Sequence, residues 1–166
     1  MSSSHLHSGF KLRAGLPAWS TIQPESIEQV IEEALSSAQR QIDAICQLTN
    51  AGLTFENTFL ALEEAEYTLG EPWGWVSHLT NVRDTPELRE VYRKLLPKVT
   101  DFFSGIPLNE SLYRVLKQFA ANTHRTTLNA EQNRFIEETL FTFRQHGAEL
   151  PADKKKRLQE IEAELS

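Results

Sequence analysis

The sequence predicts an all-α protein, an antiparallel bundle of about six helices with some of them kinked at proline. Three observations predict it. Apolar residues recur at three- and four-residue spacing in segment after segment, the period of one helix face. Polar N-cap residues and glycine or proline stops punctuate those segments. No stretch alternates apolar and polar side chains over strand length between turn residues, and no period of about 20 to 50 residues repeats.

Residues 1 to about 15 are rich in Ser and Gly with few apolar side chains, which predicts a disordered lead-in. Order is expected from Leu16-Pro17, so residues 16–166 form the folded region. The first helix opens at Pro24, where a first turn tolerates the missing N–H. It carries Ile27, Val30, Ile31, Ala34, Leu35, Ala38, Ile42 and Ile45 on one stripe and ends at Asn50-Ala51-Gly52.

The second helix starts near Thr54 or Glu56, carries Phe59, Leu62 and Leu69, and meets Gly70-Glu71-Pro72. Pro72 lacks a donor and crowds the carbonyl four residues earlier, so a break or kink is expected there, and one long kinked helix resuming through WGWVSHLTNV is the favoured reading. Asp84-Thr85-Pro86-Glu87 supplies a cap, a proline and a first-turn acid for a third helix, whose face runs Leu88, Val91, Tyr92, Leu95, Val99 and Phe102. Pro97 lies inside that pattern and is expected to bend it. Gly105-Ile106-Pro107 connects to a fourth helix capped by Asn109, with Leu112, Tyr113, Leu116, Phe119 and Ala120 inward. Asn129 caps a fifth, with Phe135, Ile136, Leu140 and Phe143 inward and Gly147 as its stop. Leu150-Pro151 opens a sixth whose apolar positions Leu158, Ile161 and Leu165 run into Ser166 with no stop signal, so this last helix is expected to be truncated.

The chain has 166 residues, 40% of them hydrophobic, enough for one domain with a real core. A net charge of −6 offers no basic field to gather phosphates, which excludes nucleic acid as an expected partner. One cysteine, Cys46, forms no internal disulfide, and the opening segment lacks the apolar core of a signal peptide, so a reducing, cytoplasmic setting is expected. No run of about eighteen apolar residues is present, and no membrane span is expected.

The search for chemistry is mostly negative. The five histidines are followed by Leu6, Ser8, Leu79, Arg125 and Gly147, so H-E-x-x-H, the helical zinc pattern that needs a glutamate there, is absent. The positions three before them are Ser2, Ser4, Trp75, Ala121 and Phe143, not the Glu of a di-iron bundle. His5-Leu6-His7 is a weak chelating pair in a mobile lead-in. Cys46 reads as a small core residue, with no cation or helix N-terminus to activate it. Glu63, Glu64 and Glu66, and Glu137-Glu138, read as solvated helix surface. Lys154-Lys155-Lys156-Arg157 sits at a helix N-terminus where the dipole disfavours it, and acids follow it at once. No G-x-S-x-G elbow and no phosphate loop occurs. Trp73 and Trp75 read as filler around a proline kink, whereas His78, three residues from Trp75 on one face, stands between core and cleft.

Three ordered stretches carry a resemblance. GLPAWSTIQPESIEQVIEEAL resembles the "LP-x-(aromatic)-x-x-Ile-x-Pro-Glu" opening of the oligopeptidase A and thimet oligopeptidase family of zinc metallopeptidases. LTFENTFLALEEAEYTLGEPWGWVSHLTNVRDTPELREVYRKLLP is similar to its "T-(W/F)-E-N-T … LEE … W-x-x-V-S-H-L-x-x-V … (S/T)-P-E-L-R-E-x-Y" block. FRQHGAELPADKKKRLQEIEAELS resembles "G-x-x-L-P-x-(E/D)-K-x-x-R-L-x-E-I-x-x-E-L-S". The likeness covers about residues 15 to 166, while SSSHLHSGFKLRA departs from the expected "N-P-L" start.

The resemblance implies a non-catalytic N-terminal helical domain forming one wall of the peptide channel in a zinc-dependent oligopeptidase. Its implied partners are a C-terminal catalytic domain of the same protein and short peptides. Zinc is expected in that parent enzyme through H-E-x-x-H and a downstream Glu, with no cofactor, metal ligand or catalytic residue in this chain. Trp75, His78 and Asn81, which lie in the "W-x-x-V-S-H-L-x-x-V" stretch, are the channel-facing candidates. The alternative is a free-standing helical module that binds a peptide or partner protein without cleaving it.

Overall fold

The computed structural model describes residue 10, residues 12 and 13, and residues 16–165. The lead-in expected over residues 1–15 falls largely outside the described residues, as does His5-Leu6-His7. The elements run β1 (Leu12–Arg13), β2 (Leu16–Pro17), a 3-10 turn (Trp19–Thr21), α1 (Pro24–Cys46), a π turn (Glu56–Leu60), α2 (Ala61–Val82), α3 (Pro86–Gly105), α4 (Glu110–Asn122), a second 3-10 turn (Arg125–Thr127), α5 (Ala130–Gln145) and α6 (Ala152–Leu165). The two strands pair antiparallel, Leu12 with Pro17 and Arg13 with Leu16. A pairing this short leaves no alternation in a sequence. The helical bundle is as expected.

Local chemistry sets most boundaries. Thr85 caps α3, its side chain accepting from the Leu88 amide, and Asn109 does the same for Leu112 on α4 at 3.0 Å. Asn129 and Gln132 form a reciprocal capping box on α5, satisfying two donors that the helix itself leaves unpaired. Gly147, at φ +93°, ends that helix. The Ala148 amide then reaches back to the Phe143 carbonyl at 2.9 Å, the six-to-one closure that a left-handed residue makes possible.

One boundary differs from expectation. The first helix ends at Cys46, ahead of the Asn50-Ala51-Gly52 turn in which Gly52 takes φ +97°. The second helix runs on past Pro72 as one long element, as expected: α2 continues from Ala61 to Val82 with Pro72 inside it. That ring is among the most fully buried side chains, so packing offsets the lost hydrogen bond. Upstream, the Leu60 amide bonds the Phe55 carbonyl at 3.0 Å, one residue further back than in an α-helix. This wide turn buries Thr58 and Phe59 together, and its cause is tertiary, not a residue signature.

Paired side chains give the helix directions. Glu28 meets Lys94 and Glu32 meets Lys98, so α1 and α3 run parallel. Gln41 on α1 bonds Thr68 on α2 at 3.2 Å, while Ala44, Ile45 and Leu48 face Asn57 and Ala61. The α2 helix is therefore antiparallel to both neighbours. Two apolar cores result. The front half of α1 joins the back half of α2 and α3 around Ile27, Ile31, Leu69, Val76, Leu95 and Val99. The back half of α1 joins the π turn, α4 and α5 around Ile42, Phe59, Leu62, Leu116 and Ile136. Phe102 and Phe103 touch both cores and lie edge to face with ring centres 5.4 Å apart.

Candidate functional site

The three channel-facing candidates lie along the last two turns of α2. Trp75 and His78 share a face, and Asn81 follows one turn on. The structure adds a fourth residue, Trp19, which the 3-10 turn holds over them. That turn is pinned where the Thr21 amide and hydroxyl both donate to the Ala18 carbonyl, at 2.7 Å and 2.8 Å, and where buried Ile22 anchors its exit.

The Trp19 ring centre lies 6.4 Å from that of Trp75 in an edge arrangement and 5.2 Å from that of His78. Phe10 closes the group from below, 6.2 Å from Trp75 and itself buried. Trp75 is half-buried and His78 exposed, while Trp19 keeps 38% of its surface open. A face of aromatic rings with one imidazole stands ready for stacking and for one hydrogen bond. Asn81 is exposed, and its amide donates to the Ser77 carbonyl at 2.9 Å. Trp73 belongs elsewhere: it stacks on Tyr92 at 4.8 Å between α2 and α3, as the core reading expected.

Sequence reasoning missed Trp19 as a site residue because a loop residue carries no periodic signal. Its only trace was the aromatic position of the LP-x-(aromatic) opening. Two charged groups also depart from the solvated reading. Glu66 is half-buried, and burial, with Glu63 adding its charge, pushes its carboxyl above the ordinary range. Lys155 is buried against α4, its Nζ donating to Glu110 Oε1 at 2.8 Å, which compensates a cation at an unfavourable helix end. Cys46 is half-buried with its thiol 3.8 Å from Asn109 Oδ1, and burial raises its pKa, which keeps it a thiol.

Among the described residues, no group of three or more His, Cys, Asp and Glu side chains is placed to hold a metal ion. The described residues therefore do not fit zinc. Among them also, no helix is long and apolar enough to cross a membrane.

The architecture is that of an all-α helical domain bearing an aromatic ledge. The family described as "Neurolysin/Thimet oligopeptidase, N-terminal domain" matches residues 29–155, and the chain belongs to it. It is 32% identical over 151 residues to oligopeptidase A of Escherichia coli (strain K12), covering 91% of this chain and 22% of that protein. It is 31% identical over 152 residues to oligopeptidase A of Haemophilus influenzae, covering 92% and 22%. A thimet-like oligopeptidase of Dictyostelium discoideum is 23% identical over 149 residues, covering 86% and 22%. The chain thus spans about a fifth of the length of the curated relatives it matches.

Proposed function

We propose that this chain is the non-catalytic N-terminal domain of a cytoplasmic, zinc-dependent oligopeptidase, and that its α2 face forms part of the wall of the peptide channel. The observation that carries the reading is the family match over residues 29–155. The face around Trp19, Trp75 and His78 supports the wall role, because it offers stacking surface and a polar tip. On this reading the zinc and the general base would be supplied by a catalytic domain of the same protein, and the metal would provide Lewis-acid chemistry for peptide hydrolysis.

The test uses the full-length protein and a series of short peptides. Trp75→Ala and His78→Ala are expected to lower kcat/KM by about tenfold, a loss of about 1.4 kcal/mol, chiefly through KM and with zinc content unchanged. Treating the protein with a chelator is expected to abolish cleavage while leaving the melting of the N-terminal helices in place. Unchanged kcat/KM in both variants would remove α2 from the channel. Peptide affinity in this chain with no cleavage by any longer form would favour the binding-module alternative.

A further inference from the structure

The aromatic ledge stands at one end of a longer stripe. Leu60, Tyr67, Glu71, Trp75, His78 and Val82 follow one another at seven-, four-, four-, three- and four-residue steps, which keeps them on one side of the helix. Leu60, Tyr67 and Val82 are exposed, and with Trp19 they make four of the seven exposed large hydrophobics among the described residues. Such side chains scattered singly need no explanation, but a row of them marks a contact surface. Glu71 is the carboxylate in that row. It is half-buried, it makes no ion pair among the described residues, and the Tyr67 hydroxyl orients it by donating to Oε1 at 2.5 Å. The wider charge is of one sign. Residues 41–82 contain six acids and no Lys or Arg, so this stretch alone carries the chain's net charge of −6.

From this row and its charge we infer that the α2 stripe selects peptides that place a Lys or Arg side chain on Glu71 and a large apolar or aromatic side chain on the ledge of Trp19, Trp75 and His78. This deepens the channel reading and rests on it. The seven residues from Glu71 to His78 rise about 10 Å along the helix, the length of about three residues of an extended peptide, so the two anchoring side chains stand three residues apart. The carboxylate accepts the cation's N–H groups in a charge-assisted pair, and the rings take the apolar side chain. An acidic side chain at the same position meets Glu71 and the anionic stretch around it, and is rejected.

The experiment measures kcat/KM in the full-length protein with two sets of end-blocked hexapeptides, Xaa-Ala-Ala-Phe-Ala-Ala and Ala-Ala-Phe-Ala-Ala-Xaa, where Xaa is Lys, norleucine or Glu. In the set whose direction matches the bound chain, Lys is expected to exceed norleucine by about fivefold, the upper end for an ion pair open to solvent, with Glu the poorest. Glu71→Gln, whose side-chain oxygen still accepts from Tyr67, should bring that ratio to about one, and Glu71→Asp should keep part of it. Trp75→Ala should lower all the peptides of that set. Equal values for Lys and norleucine in both sets, or a Lys preference that survives Glu71→Gln, overturns the inference. If Trp75→Ala still lowers cleavage in that case, the channel reading stands without it. If neither Trp75→Ala nor Glu71→Gln changes any value, both fall.

Discussion

Phe59 is fully buried where the π turn meets the second core, its ring centre 5.7 Å from that of Phe119 and 6.4 Å from that of Phe135. Phe59→Ala is expected to cost about 3–5 kcal/mol, read as a fall in denaturation midpoint, since no neighbour can swing in to fill a ring-sized gap between two packed helices. Glu66 works against stability at neutral pH. Its folded pKa is raised by burial and by Glu63, so the folded state holds the proton more tightly than the unfolded chain. Stability is therefore lost as pH rises from the ordinary glutamate range through the folded value. Glu66→Gln is expected to raise Tm at pH 7, with the gain vanishing below about pH 4. A variant that melts lower at pH 7 contradicts this account of Glu66. Residues of this kind mark the limit of sequence reading: Glu63, Glu64 and Glu66 look alike in a string, and only the packing decides which one is half-buried.

At the scale of the element, α6 packs on α3 and is clasped by side chains to α4. The Lys155–Glu110 and Lys117–Glu149 pairs and the Tyr113 hydroxyl fasten it and its entry turn to α4. Glu110 is held below the ordinary range by the Lys155 hydrogen bond and charge, and Glu149 by hydrogen bonds from Tyr113 and Lys117. A lowered folded pKa gives stability that is present above the ordinary glutamate range and lost as pH falls through the folded value. Hydrogen exchange is expected to show α6 losing protection below about pH 4, ahead of α1 to α3; equal protection at pH 3 would contradict the clasp. Gly147 matters to the same attachment. At φ +93° an added Cβ would lie 2.8 Å from Leu150 Cδ1 and 3.1 Å from Leu158 Cδ2. Gly147→Ala is expected to cost about 1–2 kcal/mol and to speed exchange in α6 most. The caps Thr85, Asn109 and Asn129 and the stop at Gly147 were legible in the sequence because each acts within three or four residues. The π turn was not, because the surrounding helices impose it.

Across the whole molecule, α1 and α2 thread both cores, and the Glu28–Lys94 and Glu32–Lys98 pairs set α1 beside α3. The pairs are exposed and screened by solvent, so they fix register more than stability. Inward faces such as Ile27, Ile31, Ile42 and Ile45 could be read from spacing alone, whereas the choice of which faces meet could not, since every stripe is apolar. The same holds for the site: the motif around Trp75, His78 and Asn81 was visible, but only folding sets Trp19 over it. The central claim is that this aromatic face lines the path of a peptide substrate. The most direct measurement is photo-crosslinking in the full-length protein, using a short peptide that carries a benzophenone side chain, with the labelled residues mapped by mass spectrometry. The account predicts label on Trp19, Trp75, His78 or Asn81, reduced by an excess of unlabelled peptide. Competable label confined to other surfaces, with this face unmarked, would contradict it.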